Sequence, residues 1–442
     1  METITNDRQE KMTAVVKQKH TNVRWFIVFL VCVVTFINYL DRTNLAIAAP
    51  FMSKELGLNA AMMGIVFSAF GWAYTLMQIP CGWLVDTVGA RMIYFVGLFG
   101  WSAFTALIGL TSGFAQLVGC RIGLGLFEAP AFPLNGRIVS TWFPSNERGL
   151  ATGLYTGAEY IGLAFCTPFL TWLLVTFGWE SIFYVTGGLG LAAAIGWLIW
   201  YRDPANHKKV DQAELDLIKQ GGGLSNTLTE KTKVSWKQIR QLFGHRQLWG
   251  MYIGIFSNTS ILWFFLTWFP SYLVTEKHIT MLSFGIFGIL PYVAAICGVL
   301  IGGKGSDWLL AKGYSTGFSR KTPIIIGLLF ACSIIGANYT DQIGIVIGFM
   351  SLAFCGQGMV STVIWALMAD IAPRKAGGVS FGVLNFSANL GGTLSPLAIG
   401  FIVNATHSFA SALVLASSLA LIAALSFLFL VPRTPYRIEI TE

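Results

Sequence analysis

Charged side chains stand inside apolar stretches, where charge is costly. Asp41 and Arg42 are adjacent within an apolar run from Trp25 to about Pro50. A charge in the middle of a membrane-spanning helix costs ~2.5 kcal/mol or more on insertion scales, so it is rarely placed there without a role. Asn38 lies four residues before Arg42, and this spacing predicts that the three polar side chains share one broad helical face. A structural ion pair with a neighbouring helix is the alternative interpretation.

A second pair of charges, Arg121 and Glu128, lies in a later apolar run. Seven residues are two helical turns, so both side chains should lie on one face, about 10 Å apart along the axis. Carboxylates can take up protons, whereas a guanidinium keeps its charge and can hold a carboxylate through two parallel hydrogen bonds. The four residues could therefore bind an anion and exchange protons. A static salt bridge is the alternative for each of them.

Further polar candidates are neutral, apart from Glu159. Glu159 follows Tyr155 by one turn and could bind hydroxyl groups, an amine or another proton; an acid hydrogen-bonded to a neighbouring helix is the alternative. Neutral side chains suited to a hydroxylated ligand are Tyr74, Gln78, Gln357, Thr362, Trp365, Asn385 and Asn389. For Gln357 and Asn389, interhelical hydrogen bonds explain the residues about as well. Trp263 and Trp268 are interpreted as interface or packing aromatics.

The elements that must position these residues are membrane-spanning helices. Of 442 residues, 55% are hydrophobic and 11% are charged, against about 25% charged in soluble proteins. The composition predicts an all-α polytopic membrane protein with twelve spans, each about 20 residues long. We place the spans at 25–49, 61–84, 92–111, 114–136, 149–172, 181–201, 247–273, 283–303, 322–339, 342–368, 377–403 and 407–431.

One long polar segment, 202–246, divides these spans into two sets of six. The predicted organisation is a tail at 1–24, a first half at 25–201, a central loop at 202–246, a second half at 247–431 and a tail at 432–442. Both tails and the even-numbered loops hold 25 of the 29 Lys and Arg residues. This bias places both termini and the central loop in the cytoplasm. The net charge of +8 therefore reports topology, and no nucleic-acid partner is expected.

The two halves echo each other in one short motif. The segment GWLVDTVGAR at 82–91 lies between spans two and three, and GKGSD at 303–307, followed by Arg320 and Lys321, lies between spans eight and nine. In both, an acid follows a glycine by four residues and a cation comes later, so the acid could cap a helix or pair with the cation. The matching positions indicate a duplicated transporter.

The chain resembles the major facilitator superfamily over essentially its whole length, and within it the anion:cation symporter family of sugar-acid carriers and sialin-like organic anion transporters. The matching stretches are NYLDR at 38–42, FSAFGWAY at 67–74, FEAPAFP at 127–133, WFP at 142–144 and WFFLTWFP at 263–270. The resemblance implies the twelve-helix major facilitator fold and proton-driven uptake of a hexonate, hexuronate or aldarate across the bacterial inner membrane.

The resemblance also implies roles for individual residues. It assigns proton coupling to Asp41 and Glu128, and it supports substrate contacts for Tyr74, Thr362, Trp365 and Asn385. The candidate substrate-binding set is completed by Tyr39, Arg42, Arg121 and Glu159. Some aldonate-transporting relatives have an amide where Glu159 stands.

Other classes of function fit the sequence less well. It contains no metal-ligand cluster and no phosphate-binding glycine loop in a soluble context, so we expect neither an enzyme nor a cofactor. A facilitator would share the helices without needing buried acids, and an exchanger of small carboxylates is a further alternative. The expected partners are a small organic anion, protons and the lipid bilayer, and a monomer is the expected state.

Overall fold

The computed structural model describes residues 21–223, 240–373, 377–432 and 434–438. Twelve helices within these ranges are long and apolar enough to cross a membrane, as predicted. Six precede the central connection: α1 (Val23–Glu55), α2 (Ala60–Val88), α3 (Ala90–Ile108), α4 in two pieces (Phe114–Glu128 and Ala131–Trp142), α5 (Arg148–Phe177) and α6 (Trp179–Trp200). Six follow it: α7 (Arg246–Thr267), α8 (Met281–Phe287 and Ile289–Ala311), α9 (Thr316–Ala331), α10 (Ile343–Ile371), α11 (Gly377–Thr406) and α12 (Ala410–Phe429).

The observed helices differ from the predicted spans mainly at their ends. The α1 helix continues past Pro50 to Glu55, because a proline within a membrane helix bends the chain without ending it. Side chains cap several helix starts: Asn59 accepts a hydrogen bond from the Met62 amide, and Ser315 accepts one from the Phe318 amide. The α9 helix ends in a tighter 3-10 segment, Cys332–Tyr339.

The α4 helix is interrupted where the sequence places two prolines. Its first piece ends at Glu128, and its second begins at Ala131, after Pro130. Neither Pro130 nor Pro133 can donate a backbone hydrogen bond, so the regular ladder is broken here. Glu128 therefore stands at the C-terminal end of a helical piece.

The two halves meet closely at the end of the bundle that lies away from the central connection. A Cβ atom on Gly64 of α2 would come within 3.0 Å of the Gly400 Cα atom of α11, so only glycine permits this approach. Beside this contact, the rings of Phe67 and Trp268 meet edge to face at 5.3 Å. These contacts close the bundle at this end, which we call the closed end.

Part of the central connection is a short helix, Gln212–Gln220, rather than only a loop. Its Glu214 is fully buried and accepts hydrogen bonds from the Arg24 amide and from Arg24 Nη1, each at 3.1 Å. Arg24 Nε also donates to Glu147 at 2.8 Å. The short helix is thus fixed to the start of α1 and to the turn before α5. The proposed domain boundaries at 202 and 246 remain a prediction.

The acid-and-cation motif has a defined geometry in the second half. Arg320 Nη1 donates to Asp307 at 3.0 Å, and Arg320 Nε donates to Asp370 on α10 at 3.1 Å. The predicted pairing across a short loop is therefore present there. In the first half, the Asp86 side chain lies outside the described residues, and Arg91 Nη2 donates to the Leu198 carbonyl at 2.6 Å.

Candidate functional site

A cavity of about 870 Å³ lies between the two halves. It extends toward the central connection, since Thr152 lies near the start of α5 and Trp365 near the end of α10. Seven of the predicted site residues line it: Tyr39, Arg42, Tyr74, Glu159, Thr362, Trp365 and Asn385. Gln78, Gln357 and Asn389 line it as well. The volume is within the range of sites that enclose a small molecule.

Arg42 is held at the cavity wall by one acid and an aromatic surround. Its Nε and Nη2 atoms donate to Glu128 Oε1 at 2.9 and 2.7 Å. The guanidinium carbon lies 5.0 to 6.0 Å from the ring centroids of four residues, Tyr39, Tyr74, Phe70 and Trp263. Such rings attract a cation and fix its plane. Two of the five guanidinium N–H groups are used by Glu128, so others can reach a ligand carboxylate.

Asp41 does not share the cavity face with Arg42, which corrects the prediction of one common face. Consecutive helical residues point about 100° apart, and Asp41 faces α6 instead. Its Oδ1 accepts a hydrogen bond from Asn44 Nδ2 at 3.4 Å, and the same amide donates to Thr186 at 3.2 Å. Asp41 is fully buried, and its Oδ2 has no hydrogen-bond partner among the described residues. A buried carboxylate with an oxygen that lacks a donor is costly, and taking up a proton removes the charge.

Glu128 pairs with Arg42 on a neighbouring helix and not with Arg121, with which the sequence placed it on one helical face. Glu128 is fully buried, and its Oε2 has no hydrogen-bond partner within the described ranges. Arg121 lies behind the cavity wall, where its Nε donates to the Val66 carbonyl at 3.4 Å and its guanidinium lies 4.8 Å from the Phe70 ring centroid. A substrate contact for Arg121 is therefore less direct than for Arg42.

Glu159 brings a second charge to the cavity surface. It lines the cavity from α5, and its carboxyl group interacts with the Tyr39 hydroxyl and with the charge of Arg42. Tyr39 thus contacts both charged groups. The predicted cavity position of Glu159 distinguishes it from Asp41 and Glu128, which are buried behind the wall.

The described residues that the second half contributes to the cavity wall are neutral. Asn385 Nδ2 on α11 donates to Gln78 Oε1 on α2 at 3.0 Å, and Asn389 Nδ2 approaches the same oxygen at 3.4 Å. These amides connect the two halves across the cavity. Trp365 is fixed by stacking on Phe381, with ring centroids 6.2 Å apart and planes nearly parallel. Gln357 Oε1 is buried and has no hydrogen-bond partner in the described part of the chain.

Several lining residues were not selected from the sequence. Asn258 and Thr259 of α7, Ser361 of α10 and Thr393 of α11 all reach the cavity. The polar run at 257–260 within an apolar helix is a signal that could have revealed the first two. Trp263, interpreted as an interface or packing aromatic, also lines the cavity. No group of three or more potential metal ligands occurs among the described residues.

The sequence model of the family described as the Major Facilitator Superfamily matches residues 31–396 of this chain. The chain belongs to this superfamily. It is therefore a multi-pass membrane transporter and not an enzyme, as predicted. The resemblance of the sequence to the anion:cation symporter family agrees with the names of the relatives described next.

Two curated relatives cover almost the whole chain. A protein named "D-galactonate transporter", from Escherichia coli O6:H1, is 45% identical over 416 residues, which are 92% of this chain and 95% of the relative. A protein named "Probable galactarate/D-glucarate transporter GudP", from Bacillus subtilis strain 168, is 44% identical over 423 residues, which are 93% of each chain.

Solved structures support the fold at lower identity. A bacterial homologue of the human lysosomal transporter Spinster, in an inward-facing and occupied conformation, has a TM-score of 0.74 and 17% identity. The similarity covers 92% of this chain and 96% of that one. A mutant form of the nucleoside transporter NupG has a TM-score of 0.68 and 12% identity, covering 92% of this chain and 100% of NupG.

Proposed function

We propose that this transporter imports a sugar acid together with protons across the plasma membrane. The names of the two relatives support a sugar-acid substrate, because each matches nearly the entire chain at more than 40% identity. The cavity supports the same class of ligand. It combines a cation that can bind a carboxylate with amides and hydroxyls that can bind a polyol.

The observation that carries the proposed proton coupling is the pairing of Arg42 with Glu128. An ionised Glu128 and a substrate carboxylate compete for the same guanidinium. Protonation of Glu128 removes its negative charge and leaves Arg42 able to bind the incoming carboxylate. Deprotonation after transport restores the Arg42–Glu128 pair and favours release. Asp41 is a second buried acid that would bind a proton without contacting the substrate.

Alternating access follows from the contacts between the halves. The Lys and Arg bias supports a cytoplasmic central connection, and with this orientation the cavity would face inward. To face outward, the protein must separate Gly64 from Gly400 at the closed end and bring the opposite ends of the same helices together. The hydrogen bond from Asn385 to Gln78 also joins the two halves.

Uptake into liposomes containing the purified protein tests the proposal. Galactonate should accumulate above its external concentration when the outside is acidic, and a protonophore should abolish the accumulation. A facilitator would only equilibrate galactonate, whatever the pH gradient. An exchanger would need internal anion and would ignore the protonophore. Either of these results would contradict proton symport.

A further inference from the structure

The charges on the cavity surface are few and opposite. Among the described residues that line the cavity, Arg42 is the one basic residue and Glu159 the one acidic residue. Arg121 is buried behind the wall, where it interacts with Val66 and Phe70. The cavity therefore offers one cationic position to an anion, and Glu159, when ionised, places a negative charge in the same space.

A sugar acid with a single carboxylate matches this arrangement. Its carboxylate would bind Arg42, and its hydroxyl groups would meet Glu159 and the amides of the second half. A hydroxyl group can donate a hydrogen bond to the Glu159 carboxylate, whereas a second carboxylate can only accept. The second carboxylate of an aldarate would lack a cation and would be repelled by Glu159 in a partly desolvated site.

We propose that Glu159 makes this transporter selective for polyhydroxy monocarboxylates and against dicarboxylates of the same length. This inference rests on the proposed sugar-acid function and narrows its substrate class. The names of the relatives include both classes, so they do not decide between them. Glu159 would discriminate between the two classes by repelling a second carboxylate and by accepting a hydrogen bond from a hydroxyl group. A combination of repulsion and attraction is a common basis of specificity.

Galactonate and galactarate are a matched pair of probes, because they share their central stereocentres and differ only at C6, a hydroxymethyl group against a carboxylate. Binding of each to the purified protein is measured by calorimetry at pH 8, because the proposed repulsion requires Glu159 to be ionised. The wild type should bind galactonate at least about tenfold more tightly than galactarate. Glu159→Gln should reduce this ratio by about tenfold, mainly by improving galactarate binding.

Two further variants separate charge from structure. Glu159→Asp keeps the charge and should keep most of the preference for galactonate. Glu180→Gln removes an acid at the start of α6, outside the cavity lining, and should leave the ratio unchanged. Galactonate binding by Glu159→Gln also reports that this variant is folded.

A wild-type preference for galactarate, or an unchanged ratio in Glu159→Gln, would overturn the inference while leaving sugar-acid transport intact. If neither sugar acid bound the wild type, the proposed function itself would fail, and the inference with it.

Discussion

The two walls of the cavity differ in chemistry. The first half contributes Arg42 and Glu159 at the surface, with the acids Asp41 and Glu128 buried behind them. The second half contributes amides, hydroxyls and Trp365, and the described residues of its cavity wall carry no charge. This division separates the two proposed tasks in part: the groups that exchange charge belong to the first half, whereas recognition of hydroxyl groups is shared between Glu159 and the neutral wall of the second half.

The division also has a consequence for coupling. In a transporter that rocks one half against the other, the substrate site lies at the interface between the halves, so a bound ligand contacts both. The carboxylate end would attach to Arg42 of the first half, and the polyol end would lie between Glu159 and the amides of the second half. Only a ligand with both ends would draw the halves together, which favours movement of the loaded carrier.

A change of Arg42 should have the largest effect on the proposed division between the two walls. Loss of a partner from a buried charge pair costs about 2–5 kcal/mol, so Arg42→Ala should lower galactonate affinity by roughly 30-fold or more. Arg42→Lys keeps Glu128 neutralised but loses the planar fork, and it should still lower the affinity by about tenfold. Calorimetric titration measures both effects.

Arg121→Lys is the matched control for Arg42→Lys, since Arg121 lies behind the wall. It should change the affinity less than Arg42→Lys does. Wild-type affinity in Arg42→Lys together with a large loss in Arg121→Lys would move the carboxylate anchor to Arg121.

Glu128→Gln tests the coupling half of the division. Wild-type affinity for galactonate should rise by about tenfold as the pH falls from 8 to 5, because protonation of Glu128 ends its competition for Arg42. The amide variant mimics the protonated form, so its affinity should be high and nearly independent of pH. Gradient-driven accumulation should be lost, while exchange of internal for external galactonate should persist.

Glu180→Gln again serves as the control and should retain the wild-type pH profile. If Glu128→Gln also retained that profile, another acid would gate the site, with Asp41 and Glu159 the remaining candidates.

Asp41→Asn should affect accumulation without weakening binding, since Asp41 faces α6 and not the cavity. We expect gradient-driven uptake to fall at least severalfold and galactonate affinity to stay within about twofold of the wild type. Liposome uptake and calorimetry measure the two quantities separately. Full accumulation by this variant would remove Asp41 from the coupling mechanism.

Hydropathy and charge spacing predicted the fold well, because the bilayer fixes the length and composition of each span. They also identified Arg42 as a cavity residue, since an arginine at membrane depth needs a polar surround. Hydropathy and charge spacing did not predict which arginine pairs with Glu128. Spacing along one helix gives the relative positions of Glu128 and Arg121, but the packing of α1 against α4 decides which arginine reaches the carboxylate.

Two other features depend on tertiary packing and could not be predicted from the sequence. Trp263 gives the same sequence signal whether it faces lipid, a neighbouring helix or the cavity, and only the close approach of α7 to α1 and α2 places it beside Arg42. The short helix Gln212–Gln220 lies in a strongly polar segment, and it is the burial of Glu214 against Arg24 that orders it. Neither contact is local in sequence.

The smallest effect is expected from a substitution in the neutral wall of the second half. Asn385→Ala removes one amide that could bind a substrate hydroxyl, and a neutral hydrogen bond contributes about 0.5–1.5 kcal/mol, so galactonate affinity should fall by roughly two- to tenfold. Because Asn385 carries no charge, the dependence of affinity on pH should keep its wild-type shape. The same variant should discriminate less between galactonate and a deoxy analogue, since the wall would have lost a hydroxyl-recognising group.

Calorimetry with both ligands from pH 5 to 8 measures all three quantities. Ser387→Ala provides the control on the same helix, because the Ser387 hydroxyl donates a hydrogen bond to the Tyr252 carbonyl. A flattened pH profile in Asn385→Ala would show that the second half takes part in proton coupling, and the separation of tasks between the two walls would then be wrong.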